Sequence, residues 1–518
     1  STALGNQTGA LGTDVTANDV LPGLEDIASH QHMTTFTLGL GVRGRMIFSP
    51  DYKTNTTSGD FLSVKNGSTA SSTVCAWQTA GTTCNWPVPV ANGPEAIDDL
   101  WHAGVNGRGT YFGATDPASL SVGLSSALQA LNAVTSDAAA ATTSNPNVTD
   151  GDNFIFSSTF RSSEWYGDFE RRQINPSTGA LAAAADWQAR TLLDANSART
   201  IYTRDAMNLS TGLKPFLWAN LTAAEQAYFS MPYISTTAAS PLNQFCASGS
   251  ICLSAGNQLA ASGSALLSFL RGDRTNEGTA EDLSKYYRLR TSVLGDIVNG
   301  EAVYVKAPLF EYADAGYTAY KTQHTTTVPR QDMVYVGAND GMLHAINADT
   351  GEETWAYVPE MLLPRLYKLA DKLYSTYHEY SVDGSPTQAD VRDSSSTWRT
   401  ILVGGLNLGG RGYYALDITD PASPKVLWEV SNSTTGFANM GYSFGRPEIV
   451  KLKDGTWVAL LTSGYNNISP GDGQGYLYVV DAVTGALIRT IGTGVGSAAS
   501  AVTGVCATAP CPSGLAQI

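Results

Sequence analysis

The side chains best suited to chemistry are the six cysteines, which fall as three close pairs: Cys75 with Cys84, Cys246 with Cys252, and Cys506 with Cys511. An even count at short spacing, in loops rich in Ser, Thr and Ala, suits local disulfides and therefore an oxidising compartment. Metal fits them less well, because no pair has the C-x-x-C spacing or a neighbouring histidine pair, and no C-x-x-C-H run marks a haem attachment. A calcium loop needs roughly six to eight oxygen ligands, and the best local candidates are Asn145, Asn147, Asp150 and Asp152 around Gly151. Pro146 and Val148 break the alternation there and no bidentate Glu follows, so a solvated polar linker is the stronger reading. Asp472, in Pro470-Gly471-Asp472-Gly473, reads likewise as a turn residue.

Arg271-Gly272-Asp273 is an integrin-type tripeptide, whose guanidinium and carboxylate could face a host receptor from an exposed turn. It follows the apolar run Ala265-Leu266-Leu267-Ser268-Phe269-Leu270, so the preferred reading makes Gly272 a helix C-cap and pairs Asp273 with Arg274 or Arg290. His30 and His32 share a strand face but lack a third ligand, and His344 reads as a packed, hydrogen-bonded residue. No H-E-x-x-H helix or Walker loop occurs.

The elements that would carry these residues are mostly short strands. Only 15% of the 518 residues are charged while 51 are Gly, and Ser, Thr and Ala are plentiful, a composition for strands and turns in two or more domains or one large repeat array. The 46 acidic and 31 basic residues give a net charge of -15 without a Lys/Arg cluster, which leaves nucleic acid without an electrostatic footprint. No apolar run reaches the roughly 18 residues of a spanning helix, and Ser1 opens the chain without a basic start and apolar core, so export implies a signal already removed.

Thr34 to Gly41 alternates as a strand, Pro94 to Ala103 is helical, Gly107 to Phe112 is a second strand, and Asp116-Pro117 opens a second helix. Residues 30 to 135 therefore alternate as an α/β unit, and Ala138 to Gly151 reads as a linker. From Asn153 a repeat appears. Asn175-Pro176-Ser177-Thr178-Gly179 precedes Trp187, Asn347-Ala348-Asp349-Thr350-Gly351 precedes Trp355, Asp417-Ile418-Thr419-Asp420 precedes Trp428, and Asp481-Ala482-Val483-Thr484-Gly485 precedes Leu487-Ile488. Each is a hairpin signal, and Met333 to Asn347 adds two strands around an Asn339-Asp340-Gly341 turn. The last three units lie about seventy residues apart, beyond the roughly 40 to 50 of a common propeller blade, so insertions between strands are expected. A β-propeller accommodates them; a β-sandwich would not need the same turn and Trp in successive units.

At these residues the sequence resembles a known family. Leu294-Gly295-Asp296-Ile297-Val298-Asn299, Val334 to Ala345, Val382-Asp383-Gly384-Ser385-Pro386, Leu402-Val403-Gly404-Gly405, Gly410 to Asp417 and Met440 to Pro447 are similar, in order, to the propeller of PilY proteins. Gln31 to Phe36 and Asp98 to Ala103 resemble the end of the von Willebrand A-like domain that precedes it in many members. The expected fold is therefore mainly β: a partial β-propeller of quinoprotein-like blades preceded by an α/β von Willebrand A-like remnant. The expected domains are the C-terminal part of that α/β domain over 1–137, a linker over 138–152, and a propeller incomplete at its C-terminus over 153–518.

The resemblance implies an exported protein at the outer-membrane surface, the pilus tip or beyond the cell. It would associate with minor pilins, promote pilus assembly against retraction, contact surfaces or a host receptor, and catalyse nothing. It implies no cofactor within these residues. The D-x-S-x-S metal loop of von Willebrand A domains does not occur, and the family's calcium loop would lie just past the region resembling Ser513 to Ile518, so the chain reads as a fragment lacking that loop and several blades. Two other classes compete: a quinoprotein dehydrogenase, whose propeller carries a similar turn and Trp repeat, and a purely structural filament subunit. The dehydrogenase would need a closed funnel and often a vicinal disulfide, and no adjacent cysteines occur.

Overall fold

The computed structural model describes residues 35–114, 135–143, 153–497 and 512–516, apart from 41–42, 50, 54, 92, 138–141, 163, 238–240, 309 and 466. The chain divides into two compact units, residues 1–134 and 135–518.

In the first unit β1 (Thr35–Leu40) is followed by α1 (Asp60–Lys65) and α2 (Glu95–Asn106), and β2 (Arg108–Ala114) then pairs with β1 in parallel. A parallel pair requires a crossover, and α2 supplies it. Gly104 lets the helix approach closely, since a Cβ there would stand 2.6 Å from the Thr37 hydroxyl. Trp101 is buried and stacks on Tyr111 at 5.6 Å, while the buried Asp98 carboxylate accepts the Arg45 and Met46 amides at 2.7 and 3.1 Å. Cys75 and Cys84 are bonded to each other in the loop before α2. The strand and helix spacing expected for this stretch is thus present up to Ala114; the expected second helix, and His30 and His32, lie outside the described residues.

The second unit opens with β3 (Thr135–Asp137) and β4 (Thr142–Thr143), both antiparallel to β5 (Phe154–Arg161), which continues through β6 (Tyr166–Gln173) to β7 (Trp187–Gln188). Here the structure departs from the expected boundaries. Thr135–Asp137, assigned to the first domain, and Thr142–Thr143, assigned to the linker, belong to the first sheet of the second unit. Threonine is polar in composition yet a strong strand former, so a reading by polarity took a sheet edge for a linker.

A long insertion follows, with α3 (Ala189–Ala195), the hairpin β8 (Ile201–Arg204) and β9 (Leu213–Pro215), α4 (Ala223–Ala227), α5 (Ala255–Ala260), α6 (Ser264–Leu270) and the short parallel pair β10 (Glu277–Gly278) and β11 (Tyr287–Arg288). The chain then returns to antiparallel sheet. β12 (Val303–Val305) leads through α7 (Tyr317–Thr322) to β13 (Met333–Ala338), β14 (Met342–Asn347) and β15 (Glu353–Val358), and β8 adds in parallel to β15. Two four-stranded sheets complete the series: β16 (Thr387–Arg392), β17 (Trp398–Gly405), β18 (Gly412–Asp417) and β19 (Lys425–Ser431), then β20 (Glu448–Lys451), β21 (Trp457–Thr462), β22 (Tyr476–Asp481) and β23 (Leu487–Gly492). The innermost strands β4, β12, β16 and β20 neighbour one another in that order, as consecutive propeller blades require.

The repeated turn and Trp join each blade to the next. Asn347 Oδ1 accepts the Asp349 and Thr350 amides at 2.9 and 3.1 Å and Asp481 Oδ1 those of Val483 and Thr484 at 3.0 and 2.8 Å, fixing both turns. The indole N–H of Trp187 donates to the Ala348 carbonyl at 3.0 Å, Trp355 to Pro421 at 2.7 Å, and Trp428 to Ala482 at 3.0 Å, in each case in the turn of the following blade. The glycine in two of those turns serves twice over. Gly351 and Gly485 adopt φ of 76° and 70°, and a Cβ would lie 2.6 Å from Trp187 and 2.5 Å from Trp428. One sequence signal thus encodes both a hairpin and the seat for the previous blade's indole.

Candidate functional site

Inserted segments on the outer side of the second and third blades frame a cleft. β8 alternates with Ile201 and Thr203 buried, and the Thr203 hydroxyl donates to the Val358 carbonyl at 2.9 Å. The hairpin tip crosses to the third blade, where the Val426 amide donates to the Thr211 carbonyl at 2.8 Å. That tip leaves Met207 and Leu209 86% and 96% exposed. After β15 the apolar stretch Met361 to Tyr367 folds back. Leu362, Leu363, Leu366 and Tyr367 are buried in the main core, so this insertion caps the blade while Met361 to Arg365 line the cleft.

Glu429, on β19, fastens the cap. Its carboxylate accepts the Tyr357 hydroxyl and the Glu360 and Met361 amides, the last two at 2.9 and 3.3 Å, and burial pushes its carboxyl up to about 7. Arg204 pairs with Glu360 at 2.8 Å, and Lys214 holds Glu225 through both oxygens at 2.8 and 2.7 Å. Glu225 also closes a capping box with Thr222 at the start of α4. The resulting space is about 740 Å³, a size that accepts a side-chain cluster or a short peptide.

A buried polar network lies among the strand ends. The Asp296 carboxylate bonds Asn339 Nδ2 at 2.7 Å and His378 Nε2 at 3.0 Å, Asp383 takes both the amide and the side-chain N–H of Asn299, and the Leu406 amide donates to Ser443 Oγ at 2.9 Å. Burial pushes the Asp383 carboxyl up to about 7. His344 is fully buried between Asp340 and Glu353 at 3.2 and 2.8 Å, and Glu353 also grips Arg199 through both oxygens at 2.8 Å. Burial disfavours the imidazolium, but the two carboxylates outweigh it and hold His344 up at about 9. Glu353 is driven the other way, to about 2, because Arg199 and His344 outweigh its desolvation. The members of this network hydrogen-bond one another and so stitch adjacent segments together. Among the described residues no group of three or more His, Cys, Asp or Glu is placed to hold a metal ion.

Leu294 to Pro447 thus carries motifs whose polar residues meet across blades, and residues 294–506 match the family described as the PilY1 beta-propeller domain. Residues 294–506 belong to the PilY1 β-propeller family. The chain is 32% identical to the type IV pilus biogenesis factor PilY1 of Pseudomonas aeruginosa PAO1 over 482 residues, covering 90% of this chain and 37% of that protein. A PilY1 homolog of Xylella fastidiosa is 39% identical over 234 residues, 44% of this chain and 18% of its own length. The crystal structure of the P. aeruginosa PilY1 C-terminal domain aligns with 32% identity over 39% of this chain and 38% of that one, at a TM-score of 0.31. The chain therefore spans 37% of the length of the PAO1 relative.

Within this chain the residues singled out by sequence are dispersed. Arg271, Gly272 and Asp273 end α6: the Gly272 amide donates to Phe269 and the Asp273 amide to Ser268, both at 2.9 Å, as in a Schellman C-cap. The Arg271 guanidinium is spent on the Phe216 and Arg199 carbonyls at 2.9 and 3.0 Å, and Asp273 accepts the Thr275 amide at 2.8 Å while its own carbonyl accepts Arg290 at 3.1 Å. Cys246 is bonded to Cys252 in the same insertion, whereas Cys506 and Cys511, like Asn145, Asn147, Asp150 and Asp152, lie outside the described residues. Asp472 accepts the Gln474 amide at 2.9 Å within its turn. The Arg199, His344 and Glu353 cluster had no local signal beyond a histidine in an apolar strand, because its members are brought together from 154 residues apart.

Proposed function

We propose that this chain is part of an exported type IV pilus biogenesis factor that works at the pilus tip by protein contact. The alignment that covers 90% of the chain at 32% identity with a type IV pilus biogenesis factor carries this reading. The contacts we assign are minor pilins on one surface and a host receptor or other substratum on another, so assembly and adhesion share one scaffold. The propeller presents inserted segments on rigid blades, the arrangement that loop-borne binding favours. No catalytic step is assigned: the buried ionisable groups described above are consumed by one another, and the relatives are named for biogenesis rather than for a reaction. The β1, α2 and β2 unit is consistent with the end of a von Willebrand A-like domain, and calcium is assigned to a loop outside these residues. No helix among the described residues is long and apolar enough to cross a membrane. The test is capture of minor pilins by the full-length gene product from detergent-treated cell envelopes. Co-purification at stable stoichiometry supports the reading, and absence of every minor pilin contradicts it.

A further inference from the structure

The turn after β6 in the first blade has the same construction as the two glycine-bearing turns that seat an indole. Asn175 Oδ1 accepts the Ser177 and Thr178 amides at 2.9 and 3.1 Å, the Gly179 amide donates to the Asn175 carbonyl at 2.8 Å, and the Ala180 amide to Thr178 Oγ1 at 3.3 Å. In the other two turns the Gly351 and Gly485 amides donate to Asn347 and Asp481, both at 2.9 Å. The Glu352 and Ala486 amides there donate to the Thr350 and Thr484 hydroxyls at 3.3 and 3.4 Å. Gly179 has a φ of 70°, against 76° for Gly351 and 70° for Gly485. The covering is what differs. Ala348 and Gly351, like Ala482 and Gly485, are buried beneath the indole of the preceding blade, whereas Pro176 and Gly179 are exposed. Beyond its chain neighbours, no described atom lies within 4 Å of a Cβ placed on Gly179. Leu181, six residues after Asn175, is 52% exposed, while Leu487, six after Asp481, packs against the core of the third and fourth blades.

We propose that Asn175 to Gly179 is the seat that closes the propeller, taking the indole of a tryptophan on an outer blade strand of the full-length product, outside residues 1–518. The direction of the three joints described above names the donor. Each indole bonds to the turn of the blade that follows, so the first blade's turn faces the blade that comes last around the axis. That donor is not among these residues. All ten tryptophans of the chain lie in described segments, and none comes within 4 Å of a Cβ on Gly179. In the fourth blade Arg489 stands opposite Val479, the register that Trp355 and Trp428 hold opposite Ala345 and Ala415. A biogenesis factor of the PAO1 relative's length carries further chain beyond the 37% matched here. The turn itself selects an indole. A glycine at positive φ leaves a bare surface for a flat ring, and the Pro176 carbonyl holds the place from which Ala348 and Ala482 accept the indole N–H. A phenyl ring would cover the glycine and leave that carbonyl without its donor. The assignment concerns the scaffold and does not rest on the pilus-tip reading.

Hydroxyl-radical footprinting of the full-length product, read tryptophan by tryptophan with peptide mass spectrometry, is the experiment. One tryptophan outside residues 1–518 is expected to be protected as Trp187 and Trp428 are, which stand 7% and 4% exposed. Gly179→Leu is expected to abolish that protection and to leave Trp187, Trp355 and Trp428 unchanged. Because a leucine at φ of 70° also strains its own turn, a second measurement keeps the glycine. A benzophenone attached to Ser177→Cys is expected to crosslink within the same polypeptide, to the strand that carries the protected tryptophan. Protection indifferent to Gly179→Leu, no protected tryptophan outside residues 1–518, or a crosslink to a second copy or to another protein overturns the assignment.

Discussion

The junction between the third and fourth blades offers a quantitative test of the blade-docking argument. Gly485→Ala imposes a Cβ on a residue at φ of 70° and drives it to 2.5 Å from Trp428. The backbone conformation costs roughly 1–2 kcal/mol for a non-glycine residue, and overpacking against a buried ring adds about 1–3 kcal/mol. Trp428→Ala, at a site 4% exposed, removes the ring and its bond to Ala482 at a cost of about 3–5 kcal/mol. In the double variant the clash has no partner, so only the backbone cost of the alanine persists. The double variant should therefore be less destabilised than the sum of the singles by roughly 1–3 kcal/mol. Equilibrium urea unfolding followed by far-ultraviolet circular dichroism measures all four corners of this cycle, independently of indole fluorescence. Additivity within about 0.5 kcal/mol would refute the claim that this glycine exists to seat the indole.

The buried ionisable groups give further expectations. Glu429 has its carboxyl raised to about 7, so the stability it contributes is fully present below the unfolded carboxyl range near 4.5 and is lost as pH rises through 7. Glu429→Gln should flatten that part of the stability profile and be the more stable form at pH 8.5, by up to roughly 3 kcal/mol in thermal or urea titrations; an unchanged pH profile would contradict the assignment. His344 behaves with the same sign at higher pH: raised to about 9, it should lend stability that disappears as pH rises through 9, an effect absent in His344→Gln. Arg199→Ala leaves Glu353 and His344 buried with one cation fewer and should cost about 3–5 kcal/mol in urea unfolding, far more than Arg446→Ala at an exposed pair of 3.5 Å. Reducing Cys246 and Cys252, six residues apart, should destabilise the insertion by about 2 kcal/mol and be visible as faster proteolysis between α4 and α6.

What the sequence disclosed depended on how local its cause was. The Asn347 to Trp355 and Asp481 to Leu487 turns were legible because side chain, glycine and strand lie within one hairpin, and the motifs from Leu294 to Pro447 were recognisable as a set although their purpose, hydrogen bonds between blades, was not. The first parallel pair was readable from the alternation of strand and helix. The β8 and β9 hairpin was not, because its strands join a sheet whose partner, β15, comes more than a hundred residues later. Thr142–Thr143 misled because pairing, not polarity, decided its fate. The cleft was likewise invisible: Arg204, Glu360, Arg411 and Glu429 acquire meaning only once two insertions meet.

Piliation itself tests the account most directly. A strain deleted for the full-length gene should lose surface pili, regain them with the wild-type gene, and regain them poorly when Trp428→Ala and Gly485→Ala are combined in a protein that has lost its blade junction. Normal piliation in the deletion strain would contradict the central claim, whatever the propeller's own stability.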